Sequence, residues 1–448
     1  MVDCDLDLNN ILLAMFFSVS GLRGIVGKDL TPDLIRKYLS GFYQVIGGDR
    51  ICIGRDSRRD SSELSQIVSN ILTSFGGRVT DVGVAPTPTV LLAVRKLGFD
   101  GGIIITASHN PYPYNGLKFV HRGGRFFFYH EIKRISEGGD SPSGNGEITS
   151  TDGISLHLNE IVNHPLVEEE CRLKVGIDPV NGSGCMALKS LLGRLGCKVF
   201  AINDQPTGIF SRPPEPTADS LSALSKVVEE NRLDIGFGLD PDGDRLSIVD
   251  EQGVPLGEEY TLPLLVNEYL DYKKGPVVVN LSTSRMTEEI ARDFNVPFYR
   301  ARVGEANVVE QMLKVSAVIG GEGNGGLIIP EVNLTRDAIL AAGLVVSLIR
   351  RNQTKVSELV RIVPKFFMRK ERLSINLKIW KQLKSLIAKE FHGEKDTTDG
   401  IRITNEKIWI HLRLSRTEPV VRLIVESQDR KMVEDYIHRV SQIVRSLG

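Results

Sequence analysis

From residue 50 onward the chain alternates short β-rich apolar runs with stretches whose apolar residues recur every three or four positions. "RICIGRD" (50–56) predicts a strand, "SSELSQIVSNILTSFGG" (61–77) a helix, "RVTDVGVAPTPT" (78–89) a strand, "VLLAVRKLGF" (90–99) a helix and "GGIIITAS" (101–108) a strand. That order marks βαβ units and a mainly parallel sheet. The pattern lapses at 138–153, "GGDSPSGNGEITSTDG", a Gly/Ser-rich linker candidate. It resumes over 172–202, and again through "GPVVVNLSTSRMTEEIARDF" (275–294), "NVVEQMLKVSAVIGGEGNGG" (307–326) and "DAILAAGLVVSLIRR" (337–351). After "IVPKF" the character changes: "IWIHLRLS" (408–415) and "VVRLIVESQ" (420–428) read as paired strands before a closing helix over 430–447.

These breaks divide the chain into three related α/β domains with mainly parallel mixed sheets, 1–150, 151–253 and 254–364, and a C-terminal α+β domain, 365–448. A length of 448 residues fits about three or four domains of ordinary size. Charge is balanced, 55 Lys+Arg against 56 Asp+Glu, and no basic run or acidic tail points to nucleic acid. The expected partner is a small molecule. Five dispersed cysteines without CxxC spacing read as reduced core thiols of a cytoplasmic protein, and they argue against zinc. The opening "MVDCDLDLNNILLAMFF" lacks the positive start and cleavage site of a secretory signal. No apolar run is long enough to cross a bilayer. Ordered patterning starts at Met15, so the first fourteen residues read as a loose extension or an over-called start.

Four segments carry chemistry. Thr106-Ala-Ser-His-Asn-Pro111 follows a predicted strand, and in α/β sheets the loops at strand C-termini face the ligand. Ser108 beside His109 invites a hydrolase reading. The GxSxG elbow is absent, however, and sequence neighbours rarely face each other well enough for proton transfer. A capped turn is the plain alternative. In "DPDGDR", Asp240, Asp242 and Asp244 place three carboxylates in one loop, where they repel unless a hard cation neutralises them. An EF-hand competes, but its sixth position would be Arg245 where glycine is required, and the flanks read as strands; Mg²⁺ fits better. "GGEGNGG" (320–326) sets Glu322 and Asn324 among glycines, suited to sugar hydroxyls. "RLSRTEPVVRL" (413–423) gathers Arg413, Ser415, Arg416, Thr417 and Arg422, the makings of a phosphate cradle or of an ordinary turn. A serine, a divalent cation and a distant phosphate cradle together indicate phosphoryl transfer. No Walker A or kinase motif is present, so ATP is not the obvious donor, and a serine that itself carries phosphate would explain that absence.

In this order and spacing, "TASHNP", "DPDGDR", "GGEGNGG" and "TEP" resemble the α-D-phosphohexomutase superfamily, from about Phe17 to the C-terminus. The resemblance implies four domains around a central cleft. It implies a phosphoserine at Ser108, primed by a sugar bisphosphate. It also implies one Mg²⁺ held by Asp240, Asp242, Asp244 and a phosphoserine oxygen, with Arg245 assisting. "SGLRG" resembles the family's early active-site loop and gives Arg23; "YNGLK" gives Lys118, a general acid/base candidate. His109 would contact substrate or phosphate. Glu322 and Asn324 would bind sugar hydroxyls; Arg413, Ser415, Arg416 and Thr417 would hold the non-reacting phosphate. "ARVGEANV" (301–308) adds Arg302 and Gly304 as weaker candidates.

The implied reaction converts a hexose 6-phosphate to its 1-phosphate through a bisphosphate that turns around in the cleft. The opening resembles members acting on glucosamine phosphate, with mannose or glucose phosphate as alternatives. A catalytically retired sugar-phosphate-binding protein is the rival of another class, and a monomer or homodimer is expected. Two departures stand out. Many bacterial relatives carry Ser-Gly-His where this chain has Asn324-Gly325-Gly326, which removes a histidine that can handle protons; archaeal-type members have a similar GNGG, so the departure reads as a subfamily mark and not as a loss of activity. Arg416 replaces a usual Gly or Asn; it either strengthens the phosphate grip or strains the turn if φ is positive there.

Overall fold

The computed structural model describes residues 17–19, 21–139, 142–415 and 420–447. Three α/β units and one antiparallel unit follow one another along the chain. In the first, eight strands form one sheet. By neighbour they run Phe17–Ser18, Gly21–Ile25, Tyr114–His121, Gly101–Ile105, Arg50–Arg55, Arg78–Val84 and Glu147–Ser150, with Arg125–Phe126 hydrogen-bonded to Tyr114–His121 outside that path. The last four on the main path are mutually parallel, and the others add antiparallel.

The second sheet is smaller. Lys198–Ala201, Lys174–Asp178 and Ile235–Leu239 are parallel, and Leu246–Val249 closes one edge antiparallel. The third repeats this plan with Phe298–Ala301, Val277–Asn280 and Ile319–Glu322 parallel and Gly326–Ile328 antiparallel.

In all three units a parallel strand ends in a short loop and returns antiparallel beside itself. The cause is loop length: a parallel return needs a crossover of a dozen or more residues, and these loops are too short for one. They are also where the chemistry lies. Residues 106–113 join Gly101–Ile105 to Tyr114–His121, residues 240–245 join Ile235–Leu239 to Leu246–Val249, and residues 323–325 join Ile319–Glu322 to Gly326–Ile328. The three internal motifs therefore sit at one topological position, at strand C-termini.

The C-terminal unit is fully antiparallel, with strands ordered Phe367–Leu373, Val421–Ser427, Ile408–Leu414, Ile401–Thr404 and Glu394–Asp396. Helices Trp380–Glu390 and Arg430–Ser446 complete it. Asp429 caps the latter by accepting from the amides of Lys431 and Met432, and Val433 and Val440 face the core.

Two features differ from the sequence reading. The 138–153 segment contains a strand, Glu147–Ser150, parallel to Arg78–Val84. Every residue of it is exposed, so no apolar alternation marked it. The helix expected from Val90 begins at Thr87, because Pro88 suits the first turn, where its missing N–H costs nothing. The apolar core also runs continuously between the second and third units, through helix Ala338–Asn352, whereas the first and the C-terminal units have their own cores. A buried chain links all three α/β units: Thr89 Oγ1 lies 2.8 Å from His157 Nδ1, and His157 Nε2 lies 2.8 Å from Asp337 Oδ2. No helix of the described residues is long and apolar enough to cross a membrane.

Candidate active site

The motif loops meet at one cavity of about 890 Å³. Its walls include Arg23, Ser108, His109 and Lys118 from the first unit and Arg245 from the second. Gly304, Glu322, Asn324 and Arg336 come from the third, and Arg413 and Ser415 from the fourth. Arg302 is exposed and lies outside this lining. Arg416 and Thr417 lie outside the described residues.

Ser108 is 2 % exposed and adopts a left-handed backbone, φ 51°, which non-glycine residues adopt rarely. The surrounding loop enforces it. The Ser108 amide donates to Thr106 Oγ1 at 2.9 Å, and Thr106 Oγ1 donates to Asp56 Oδ2 at 2.7 Å. Arg58 is held by Asp56 at 2.9 Å and donates to the carbonyls of Ser108, Asn110 and Tyr114. Sequence reading missed Asp56 and Arg58, although "GRDSR" directly follows a strand and so lies on the ligand edge of the sheet. Arg58→Met removes the counter-charge of buried Asp56, which keeps its hydrogen bonds from Thr106 and Ser61, and takes the guanidinium donor from three carbonyls. The expected loss is about 3–5 kcal/mol of stability, measured by urea unfolding.

His109 Nδ1 is 3.5 Å from Ser108 Oγ and 3.0 Å from Arg245 Nη2. Arginine has no acceptor, so the His109 Nδ1 lone pair accepts a hydrogen bond from the Arg245 N–H. Burial, then Arg245 and Arg23, hold the imidazole well below its ordinary pKa. The ring is neutral, with its Nδ1 lone pair already engaged, and cannot deprotonate Ser108 there. Arg23 donates to Asn110 Oδ1 at 2.6 Å and so also touches the serine loop.

The loop 240–245 is wound around Asp240, whose Oδ1 accepts from the backbone amides of Asp244 and Arg245, each at 3.1 Å. Gly243 has φ 66°, and a Cβ there would lie 3.1 Å from Pro86 Cβ, so glycine lets the two loops approach. Asp242 Oδ2 accepts from Lys118 Nζ at 2.6 Å and Thr87 Oγ1 at 2.9 Å. Burial opposes ionisation of Asp242, yet Lys118 holds its carboxyl below the usual range. Asp240 goes the other way: burial, then Asp244 and Asp242, push it well up.

Asp240 Oδ2, Asp242 Oδ1 and Asp244 Oδ1 are buried and have no hydrogen-bond partner, and one carboxylate oxygen from each residue lies within 4.8 Å of the others. Arg245 Nε lies 3.8 Å from Asp240 Oδ2 and 3.7 Å from Asp244 Oδ1; three clustered carboxylates with oxygens that accept no hydrogen bond fit a hard divalent cation, which takes oxygen ligands.

On the sugar-motif side, Glu322 Oε1 accepts from Asn280 Nδ2 at 2.7 Å and from the Gly304 amide at 3.1 Å. Burial opposes the charge, but Arg336 and Asn280 hold Glu322 below its ordinary value. Asn324 Oδ1 is buried without a partner, an acceptor free for a ligand hydroxyl. The fourth unit is tied to the third. Val303 N donates to Asp399 Oδ2 at 2.9 Å, Ser282 Oγ lies 3.0 Å from His411 Nδ1, and Arg285 N donates to Glu426 Oε2 at 2.9 Å. Lys370 pairs with Glu258 at 2.8 Å and Glu259 at 2.7 Å.

An arrangement of this kind sets a serine, polar groups of the third unit and several arginines around one space, with three clustered aspartates paired to its Lys118 and Arg336, a layout suited to phosphoryl transfer. Family models agree. Those described as phosphoglucomutase/phosphomannomutase alpha/beta/alpha domains I, II and III match residues 14–141, 156–253 and 258–366, and the C-terminal domain matches 371–443. The chain is 34 % identical over 446 residues to a "Probable phosphoglucosamine mutase" of Pyrococcus abyssi, covering 97 % of this chain and 98 % of that one. It is 31 % identical over 452 residues to a "Phosphoglucomutase/phosphomannomutase" of Thermococcus kodakarensis, covering 95 % and 97 %. The fold matches the crystal structure of a phosphoglucomutase/phosphomannomutase family protein from Burkholderia thailandensis with a TM-score of 0.85 at 24 % identity, covering 96 % and 98 %. The chain belongs to the phosphoglucomutase/phosphomannomutase family of α-D-phosphohexomutases. It is a phosphohexomutase, an isomerase acting by intramolecular phosphotransfer.

Proposed function

We propose that the enzyme interconverts glucosamine 6-phosphate and glucosamine 1-phosphate, with Ser108 as the phosphate carrier. The observation that carries the mechanism is one cavity lined by buried Ser108, Lys118, Arg245 and Arg336, with Arg413 and Ser415 on its C-terminal wall; Lys118 and Arg336 of that lining pair with Asp242 and Asp244 of the aspartate loop. The sugar assignment is supported by the name of the Pyrococcus relative, which is also the more similar of the two.

The phosphoryl group leaves Ser108 Oγ and bonds to the free hydroxyl of the bound sugar phosphate, whose proton passes to a base in the cleft. Lys118, buried beside Asp242, protonates the departing Ser108 oxygen. Asp240, Asp242 and Asp244 would hold Mg²⁺, which supplies charge neutralisation for the transferring group. Arg23 and Arg245 add fixed positive charge beside Ser108. Glu322 and Asn324 orient the sugar hydroxyls, while Arg413, Ser415, Arg416 and Thr417 grip the phosphate that does not react. The bisphosphate then turns, and Ser108 Oγ bonds to the phosphoryl group that the substrate brought: the P–O bond at the originally phosphorylated sugar position breaks, the freed sugar oxygen takes up a proton, and Ser108 Oγ gives its proton to Lys118. Gly304 fits the substrate wall through the hydrogen bond its backbone N–H donates to Glu322 Oε1; Arg302, exposed, would reach substrate only from outside the cavity.

Priming requires a sugar bisphosphate, which leaves the first phosphate on Ser108. The described cysteines, Cys52, Cys171, Cys185 and Cys197, are all unpaired, which supports work in the reducing cytoplasm. The test is a panel of glucosamine, mannose and glucose 6-phosphates with a sugar bisphosphate primer and Mg²⁺, followed by coupled detection of the 1-phosphate. Glucosamine phosphate is expected to give the highest kcat/KM. A higher value for mannose or glucose phosphate would overturn the sugar assignment, and no turnover of any would overturn the mechanism.

A further inference from the structure

The departure at Gly326 has a counterpart ten residues on, in a side chain that sequence reading passed over. A Cβ placed on Gly326 would lie 2.2 Å from Arg336 Cδ and 2.8 Å from its Cγ. The space beside residue 326 is therefore filled by the arginine. Arg336 is 6 % exposed and lines the cavity. Its guanidinium reaches carboxylates of two different units. Nη2 donates to Asp244 Oδ2 at 2.5 Å, Nη1 donates to Glu322 Oε2 at 2.8 Å, and Nε lies 3.2 Å from Glu305 Oε2. Asp244 thus has one oxygen on the arginine, while its Oδ1 stays without a hydrogen bond.

We propose that Arg336 is a positioning residue of the mutase reaction. It joins the cation loop to the sugar motif, so that the orientation Glu322 imposes on the sugar is held in register with the phosphate on Ser108, and Gly326 is the notch that admits it. A guanidinium stays protonated at neutral pH, so Arg336 contributes fixed geometry and charge and no proton transfer. The planar fork matters because its separate nitrogens hold Asp244 and Glu322 in fixed directions, where a lysine would offer one flexible point charge.

This rests on assigning Asp244 to the cation and Glu322 to the sugar, and the test separates the two levels. Full-length enzyme stripped with chelator is titrated with Mn²⁺, followed by electron paramagnetic resonance. It is then titrated with glucosamine 6-phosphate, or the 6-phosphate that the panel above turns over, at saturating Mg²⁺ by calorimetry. In Arg336→Met, Asp244 loses a competing cation. Mn²⁺ is expected to bind about threefold or more tightly, while the sugar-phosphate Kd rises about tenfold and kcat falls about 100-fold. A merely structural lesion would weaken both affinities together. Arg336→Lys keeps charge near Asp244 without the fork, so Mn²⁺ affinity stays near wild type and sugar-phosphate binding still weakens about fivefold. Gly326→Ala crowds the guanidinium without removing it and should show the same sugar-phosphate loss; it carries the test if Arg336→Met does not fold. Wild-type sugar-phosphate affinity in Arg336→Lys and Gly326→Ala, or weakened Mn²⁺ binding in folded Arg336→Met, would overturn the bridge. If Asp244→Asn leaves Mn²⁺ binding intact, the cation assignment fails instead.

Discussion

Ser108→Ala is expected to lower turnover by on the order of 10⁴-fold or more, because it removes the only atom proposed to exchange phosphate with the sugar. Folding should barely change. Ser108 Oγ makes no bond shorter than the 3.5 Å contact to His109, and the loop is held through backbone groups by Thr106 and Arg58. Alanine meets the same left-handed backbone that serine already occupies there. Intact mass provides an independent reading: wild-type enzyme treated with sugar bisphosphate should carry one covalent phosphate, and the variant none. Activity within tenfold of wild type, or a phosphate retained by the variant, would remove Ser108 from the carrier role. His109→Ala makes a useful control, since a hydrolase-type base would be as costly to lose as the serine itself.

Asp240→Asn should inactivate the enzyme by on the order of 10³-fold and yet stabilise it when no divalent metal is present. The two effects share one cause. Three buried carboxylates face one another, and Asp240 suffers most, its carboxyl pushed well up by burial and by Asp244 and Asp242. Between the ordinary carboxylate pKa and this raised value, the folded state binds more protons than the unfolded one. Stability in chelator therefore falls as pH rises through that window, and the charged form costs stability at neutral pH. Asparagine removes the cost. A melting temperature higher by roughly 2–4 °C in chelator would correspond to about 1 kcal/mol. Mg²⁺ reverses the order. At about 100 times Kd, a bound ion adds about 2.7 kcal/mol to the wild type, and the variant should gain far less. A variant that melts below wild type in chelator, or that keeps the full Mg²⁺ shift, would sink the reading of this loop as the cation site.

Much of this site was legible because its parts are local. Three aspartates at alternate positions in a Gly/Pro loop announce a cation without any knowledge of the fold. Likewise, a serine just past an apolar strand sits at a sheet's ligand edge. Arg336 and Arg58 were not legible. Each is an ordinary arginine in its own segment and acquires meaning only from distant carboxylates and carbonyls. Thr87 is similar: it reads as part of a proline-rich strand end, yet it starts a helix and donates to Asp242 across units. Arg302 shows the reverse, a local match whose side chain the fold turns outward.

Periodicity alone indicated the alternation of strands and helices from residue 50 onward, the repeated α/β units and the change of character in the C-terminal unit, since burying one face of an element dictates the spacing of its apolar residues. Motif chemistry alone pointed to a serine, a cation loop, a hydroxyl-binding motif and a phosphate cradle, with plain turns as the alternatives. The tertiary structure decided how they combine. It put the three internal motifs on equivalent hairpin loops and turned them to one cavity. It engaged the Nδ1 lone pair of His109 with Arg245, and it passed Arg336 through the notch at Gly326 to join Asp244 with Glu322. Charge pairing across a fold depends on distance in space, and a chain's order does not carry that distance until the sheets have packed.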